Sequence, residues 1–245
     1  MRKNLLYTIQ TVLIVLWTVA ATIVIATTVI LVSFFSRTGN LPHLLARLWA
    51  NSILWVSRVK VTVRGAEKLD PGCSYIYMPN HQSNADIPLL LGRLPVQFRW
   101  LAKAELFKVP IFGRAMRGVG YISIDRSNRK SSFESLERAA RTIRSGTSVL
   151  IFPEGTRSRD GRILPFKKGG FVLAVDAGVP IVPIIIRGTR DIISKGHFMI
   201  RPAPVTMEIL DPVETADYTR KTKDALLARI RSILIDHFEK EGWES

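Results

Sequence analysis

Apolar residues fill the first part of the chain without interruption. No charged residue occurs from Asn4 to Ser36, and this stretch is longer than the ~20 residues that cross the hydrocarbon core of a bilayer. A cleaved signal peptide has a shorter apolar region and a small-residue cleavage site. A core helix of a soluble protein is seldom this long. The pattern therefore predicts a membrane-embedded helix.

A second apolar stretch, residues 41–57, has helical periodicity. Its large apolar residues fall near one helical face: Leu41, Leu44, Leu45, Leu48 and Trp55. Trp49 and Trp55 suit a membrane–water interface. Basic residues flank the first stretch on both sides, so the positive-inside rule gives little asymmetry. Residues 1–58 are predicted to form an anchor, either a spanning helix followed by a surface helix or a helical hairpin dipping into one leaflet.

Short apolar runs alternate with helical stretches after residue 58. Seven runs are predicted as strands: residues 59–63, 74–78, 98–102, 119–124, 149–152, 181–186 and 205–210. Helices are predicted at residues 131–145, 170–177 and 221–240. This order indicates an α/β domain over residues 59–245, with a mostly parallel or mixed central sheet flanked by helices. In such sheets, ligands bind in loops beyond the strand ends.

The charge balance narrows the class of partner. Lys and Arg number 35 against 20 Asp and Glu, a net charge of +15, which indicates an anionic partner such as nucleic acid, an acidic membrane surface or a phosphorylated substrate. Next to an embedded helix, this charge favours a basic body on the anionic cytoplasmic face of a membrane. The single cysteine, Cys73, excludes a disulfide within the chain and paired thiolates for zinc.

The first candidate for chemistry is a histidine followed five positions later by an aspartate, His81 and Asp86. On a regular helix these residues would point about 140° apart. They meet only if His81 lies on a strand-to-helix corner and Asp86 on the first helical turn, which Pro79 and Pro88 favour. The pair then forms a general base oriented by a carboxylate. A capping box in which Asp86 receives backbone N–H groups is an alternative.

The second candidate is the turn at residues 153–158, directly after an apolar strand. Its Arg157 offers a planar fork that binds phosphate through two donors, and Thr156 adds a hydroxyl. Glu154 is an unusual neighbour for an anion; it either orients Arg157 or binds a substrate hydroxyl. An ordinary surface turn with a Glu–Arg pair is the alternative.

Two further cations follow strand ends. Lys103 comes after the strand at 98–102, and Arg126 closes the segment 118–126. Each alone is typical of a solvated surface charge. Because both follow strand ends, we expect them to converge with the turn at 153–158.

In these residues the chain resembles the 1-acyl-sn-glycerol-3-phosphate acyltransferases, also called lysophosphatidic acid acyltransferases. Order and spacing agree over about residues 60 to 210 in five elements: His81-x4-Asp86, Lys103-x-Glu105-Leu106, residues 118–126, Phe152-Pro-Glu-Gly-Thr-Arg-Ser158, and the apolar run Val179-Pro180-Ile181-Val182-Pro183-Ile184.

The resemblance implies a glycerolipid acyltransferase-like fold and acyl transfer to the 2-hydroxyl of lysophosphatidic acid, giving phosphatidic acid. The donor would be a thioester, acyl-CoA or acyl-carrier protein, with no other cofactor. His81 would be the base and Asp86 its orienting group. The resemblance implies acceptor binding by Lys103, Arg126, Glu154, Gly155, Thr156 and Arg157.

Other functions remain open from the residues alone. A related acyltransferase could use glycerol 3-phosphate, a lyso-ornithine lipid or another lysophospholipid. A basic membrane or nucleic-acid-binding protein without catalysis also fits the charge, but the cations are scattered among strand ends and no nucleic-acid module pattern occurs. We therefore expect no nucleic-acid partner. No metal is expected, because His81 lacks a second His or Cys at ligand spacing.

Overall fold

Two helices precede the sheet in this computed structural model, which describes residues 2–36, 38–125 and 129–240. Helix α1 (Arg2–Ser33) and helix α2 (Asn40–Val56) form an antiparallel hairpin. Two tryptophans join them: Trp49 Nε1 donates to Thr22 Oγ1 at 2.9 Å, and Trp17 Nε1 to Ser52 Oγ at 3.2 Å. Trp49 is thus half-buried against α1, whereas Trp55 is exposed as the interfacial pattern predicted.

The seven predicted strands are all present and form one sheet. They are β1 (Lys60–Arg64), β2 (Ile76–Pro79), β3 (Arg99–Lys103), β4 (Ile122–Ile124), β5 (Val149–Leu150), β6 (Ile181–Arg187) and β7 (Pro204–Ile209). Their order is β1-β7-β6-β2-β5-β3-β4. Every adjacent pair is parallel except β6 and β7, which are antiparallel. The prediction of a mostly parallel or mixed sheet is confirmed.

Six more helices follow the strands: α3 (Asp86–Arg93), α4 (Phe112–Gly118), α5 (Arg129–Arg144), α6 (Gly169–Ala177), α7 (Thr189–Ile192) and α8 (Lys223–Lys240). The periodicity predicted α5, α6 and α8. It missed α4 and α7, which are both short, whereas a helix at α3 was expected from the strand-to-helix corner at His81. The predicted strand at 119–124 was too long, because Val119 caps α4 and Gly120 turns the chain at φ 84° before β4.

Strand side chains alternate between two cores, one on each face of the sheet. Ile76 and Met78 of β2 pack with α5, α6 and α8 on one face. Tyr77 packs on the other face with α3, where Leu90 is fully buried. Both faces of the sheet are therefore covered, and its chemistry is restricted to the strand ends.

Helix α1 lies against the α/β domain along most of its length. Near its N-terminus, Thr11 Oγ1 accepts a hydrogen bond from Ile200 N at 2.9 Å. Near its C-terminus, Val29 packs with Val119. A Cβ at Gly118 would lie 2.8 Å from Ser33 Cβ, so glycine permits this close approach.

The outward side of the hairpin is apolar. Asn4–Ser33 is long and apolar enough to cross a membrane, with mean hydropathy 2.5 and only 17% of its most apolar window buried. Large exposed apolar side chains continue into α2 and include Leu13, Leu16, Val24, Phe35, Leu44 and Trp55. This surface supports membrane association of the N-terminal region.

Candidate active site

The sequence motifs converge because of the strand order. Strand β5 lies between β2 and β3, and all three are parallel. Their carboxyl ends therefore meet at one edge of the sheet, where the chain continues into His81 after β2, Lys103 at the end of β3 and the turn at 153–158 after β5. This is the crevice where open α/β sheets usually bind ligands.

The His81 ring meets the Asp86 carboxylate at the corner between β2 and α3. His81 Nδ1 lies 2.7 Å from Asp86 Oδ2. Asp86 is fully buried at the first turn of α3, and His81 keeps 14% of its side chain exposed. A carboxylate only accepts hydrogen bonds at neutral pH, so it holds the proton on Nδ1 and leaves the Nε2 lone pair to act as a base.

Asp86 also serves the corner itself. The same Oδ2 accepts the backbone N–H groups of Gln82 at 2.8 Å and Ser83 at 2.9 Å. Asp86 thus receives backbone N–H groups, as the capping-box alternative expected, and also orients the imidazole. The reciprocal half of a capping box is not formed, because the N-cap of α3 is Ala85 and no side chain caps the helix. These N–H donors fix the carboxylate in place, and the carboxylate in turn fixes the imidazole.

Glu154, in the turn that follows β5, forms hydrogen bonds with the histidine corner. Its Oε1 accepts the backbone N–H of His81 at 2.7 Å, and its Oε2 accepts that of Leu164 at 2.9 Å. Burial raises the pKa of Glu154 to about 7, and the two backbone donors oppose that rise. Both oxygens therefore contact backbone rather than Arg157, the alternative partner expected from sequence. The expected role of Glu154 in binding the acceptor substrate remains a prediction.

Two aromatic side chains hold the imidazole ring, and sequence reasoning assigned neither of them to the site. The His81 ring stacks on Phe152, with centroids 3.7 Å apart and planes 13° apart. Phe152 in turn stacks on Trp100 of β3 at 5.6 Å. The only sequence signal for these two residues was their position, since Trp100 lies in the strand that ends at Lys103 and Phe152 directly precedes the turn that carries Arg157. This stack limits rotation of the ring.

A cavity of about 540 Å³ opens beside His81. One part of its wall is polar and includes His81, Asn84, Lys103, Thr156 and Arg157. Another part is apolar, and much of it comes from the hairpin and from α4 with its C-cap: Ile25, Ala26, Val29, Ala46, Phe112, Ala115, Met116 and Val119. The cavity thus combines cationic side chains with an apolar lining that the α1–α2 hairpin partly forms.

Most of the predicted site residues reach this cavity. Lys103, Gly155, Thr156 and Arg157 line it together with His81. Arg126 lies outside the described residues. Lys195, which sequence reasoning did not identify, contacts the same turn: its Nζ donates to Arg157 O at 2.8 Å and to Thr156 Oγ1 at 3.2 Å. Nothing in the local sequence around Lys195 marks it, because it follows the short helix α7 rather than a strand.

Within residues 2–36, 38–125 and 129–240, no group of three or more His, Cys, Asp or Glu side chains is placed to hold a metal ion. The described cavity is lined by an oriented imidazole together with cationic and hydroxyl side chains.

Comparison with known proteins agrees with this arrangement. Residues 60–187 match the family model described as Acyltransferase. A 1-acyl-sn-glycerol-3-phosphate acyltransferase from Limnanthes douglasii is 36% identical over 81% of this chain and 69% of its own length. The human alpha form is 34% identical over 79% of this chain and 69% of its own length. The crystal structure of the 1-acyl-sn-glycerophosphate (LPA) acyltransferase PlsC from Thermotoga maritima is similar with a TM-score of 0.80, at 29% identity, over 97% of this chain and 99% of that one.

Proposed function

Since the chain belongs to the acyltransferase family that includes the 1-acyl-sn-glycerol-3-phosphate acyltransferases, we propose that it acylates the 2-hydroxyl of lysophosphatidic acid to give phosphatidic acid. The observation that carries this proposal is one cavity lined both by His81, which Asp86 orients, and by Arg157, with apolar side chains of the α1–α2 hairpin in the same lining.

The polar part of the cavity lining suits the phosphate of the acceptor, lysophosphatidic acid. The Arg157 guanidinium is half-buried and lines the cavity, and within the described part of the chain neither it nor the Lys103 ammonium forms an ion pair. An unpaired guanidinium at a cavity wall can bind phosphate through two parallel donors. Holding the phosphate there brings the glycerol 2-hydroxyl toward His81 and converts the reaction to an intramolecular one.

Acyl transfer to the hydroxyl then needs only one residue, His81, to accept and return the proton. His81 Nε2 accepts the hydroxyl proton while the oxygen attacks the thioester carbonyl carbon, and the buried Asp86 carboxylate stabilises the imidazolium that forms. Collapse of the tetrahedral intermediate breaks the C–S bond, and the imidazolium returns the proton to the departing thiolate. A thioester is already activated, so we expect direct transfer in a ternary complex without an acyl-enzyme.

The acyl donor is proposed to be acyl-CoA or acyl-carrier protein, with no further cofactor. The apolar wall formed by α1, α2 and α4 suits a fatty acyl chain, because burying it there removes methylene groups from water at about 0.8 kcal/mol each. The anchor would thus hold the cavity at the depth where acyl chains lie.

The function is tested by following free thiol release from acyl-CoA with purified protein and a set of acceptors. We expect turnover with lysophosphatidic acid and much slower turnover with glycerol 3-phosphate, a lyso-ornithine lipid and lysophosphatidylcholine. Preference for one of these other acceptors would reassign the substrate within the same chemistry. Salt-dependent binding of nucleic acid without any thioester turnover would reject the enzymatic function.

We propose further that the α1–α2 hairpin enters one leaflet only, with the α/β domain on the cytoplasmic face. Helix α1 contacts the domain from Tyr7, whose ring lies 5.7 Å from the Arg201 guanidinium, to Ser33 at Gly118. These contacts extend over roughly 39 Å of helix at 1.5 Å per residue, more than the ~30 Å hydrocarbon core. A perpendicular crossing would therefore draw charged domain residues into hydrocarbon, which is costly.

The topology is tested by cysteine accessibility. The exposed Cys73 reports the side of the domain, and an Asn4→Cys variant in a Cys73→Ser background reports the start of α1. We expect a membrane-impermeant maleimide to label both positions in inside-out vesicles and neither in sealed right-side-out vesicles. Labelling of Asn4→Cys from the side opposite to Cys73 would show a spanning helix instead.

A further inference from the structure

A connecting segment, residues 193–203, joins α7 to β7 and contacts the turn at 153–158. At its start, Ile193 O accepts the Ser83 hydroxyl at 2.7 Å, next to the histidine corner. At its end, Ile200 N donates to Thr11 Oγ1 at 2.9 Å on α1. The segment is therefore held by the histidine corner at its start and by α1 near its end, and between these two contacts Lys195 reaches the turn that carries Arg157.

Lys195 is the third residue of this segment. Its Nζ contacts the turn through Arg157 O at 2.8 Å and Thr156 Oγ1 at 3.2 Å. An ammonium group has three N–H donors, so these two contacts leave a third for a ligand. By accepting from Lys195, the Thr156 hydroxyl keeps its own hydrogen to donate, and Thr156 lines the cavity.

The charge of Lys195 is not neutralised by the protein. Several other cations of the described chain have carboxylate partners: Lys68, Arg141, Lys168, Arg187 and Arg220. Lys195, Arg157 and Lys103 have none among the described residues. Glu154, the carboxylate within the turn itself, accepts two backbone N–H groups. An unneutralised cation fixed beside a phosphate-binding turn favours an anionic ligand.

We propose that Lys195 is a specificity-determining residue that binds the phosphate monoester of the acceptor, in a donor set shared with Arg157 and the Thr156 hydroxyl. This inference rests on the proposed function. It extends that function to a residue from outside the recognised motifs, supplied by a segment that the membrane anchor holds in place.

The test measures lysophosphatidic acid binding in detergent by the fluorescence of Trp49 and Trp100, both of which line the cavity. Lys195→Met removes the charge and the tether, whereas Lys195→Gln keeps an amide donor for Arg157 O but no charge. We expect both variants to weaken binding about 10- to 100-fold, the range for one charge-assisted hydrogen bond. Lys195→Arg should stay within about threefold of the wild type, because it retains the charge.

A control variant and two control ligands distinguish the possible outcomes of this binding experiment. Lys68→Met removes a surface charge paired with Asp211 and should change nothing. The phosphate-free acceptor 1-acylglycerol should bind wild type and Lys195→Met equally. A loss confined to acyl-CoA would assign Lys195 to the phosphates of the donor and overturn the proposal. Equal weakening of 1-acylglycerol, or weakening by Lys195→Met but not by Lys195→Gln, would show a purely structural tether and overturn it too.

Because binding needs no catalysis, this experiment also distinguishes the two levels of inference. If the wild type does not prefer lysophosphatidic acid over 1-acylglycerol, the proposed function itself fails. If the wild type does prefer it and Lys195→Met retains that preference, only the role of Lys195 is rejected.

Discussion

Replacing His81 with alanine should lower kcat for lysophosphatidic acid at least about 100- to 10,000-fold, the contribution of a positioned general base. The reason is geometric. The His81 imidazole lines the cavity, and its Nδ1 lies 2.7 Å from Oδ2 of the buried Asp86 carboxylate, which fixes the ring. Alanine leaves Asp86 bound to the backbone N–H groups of Gln82 and Ser83. The corner should therefore survive while the proton acceptor is lost.

The control for this variant is a histidine away from the cavity. His237 lies on α8, where its Nδ1 is 2.9 Å from Ile233 O of its own helix, so His237→Ala should keep near-normal activity. Binding of lysophosphatidic acid by His81→Ala should stay close to wild type, because the phosphate donors are intact. Near-normal turnover by a folded His81→Ala protein would reject the assignment of the base.

Arg157→Ala should mainly raise the KM for lysophosphatidic acid, by about 100-fold or more on the order-of-magnitude values that follow. Two parallel guanidinium–phosphate hydrogen bonds are lost, each worth roughly 1.5–3 kcal/mol, and every 1.4 kcal/mol changes affinity tenfold. The KM for acyl-CoA should change little, since the apolar wall remains. The smaller effect expected on kcat follows from poorer placement of the hydroxyl near His81. Initial rates over a matrix of both substrates measure these quantities separately.

Arg141→Ala is the matched control, because Arg141 is exposed on α5 and paired with Glu137 at 3.2 Å. It removes the same charge far from the strand ends that form the site and should leave both KM values unchanged. An unchanged KM for lysophosphatidic acid in Arg157→Ala would remove Arg157 from the phosphate site.

The sheet was predictable because its strands are short apolar runs separated by turns and helices. Each of the seven predicted runs overlaps an observed strand. Strand order was not predictable from the pattern, since it depends on long-range packing. Yet that order, β2-β5-β3, is what brings His81, Arg157 and Lys103 to one edge. Sequence alone supported this convergence only through the position of each motif after a strand.

The parts of the site that sequence reasoning missed are those made by tertiary contacts. Glu154 looked like a partner for Arg157 because the two are close in sequence, but folding directs both its oxygens to backbone N–H groups. Trp49 was predicted to lie at a membrane–water interface because its helix is amphipathic, but its indole N–H donates a hydrogen bond to Thr22 on α1. Lys195 approaches the turn from 38 positions away. Local patterns carry no information about such pairs.

The most direct test of the central claim, that the acceptor hydroxyl attacks the thioester with His81 as base, is rapid mixing of wild-type protein with radiolabelled acyl-CoA in the absence of acceptor. We expect no labelled protein and no burst of free thiol, followed by thiol release once lysophosphatidic acid is added. A stoichiometric burst with the acyl group covalently bound to the protein would contradict the account.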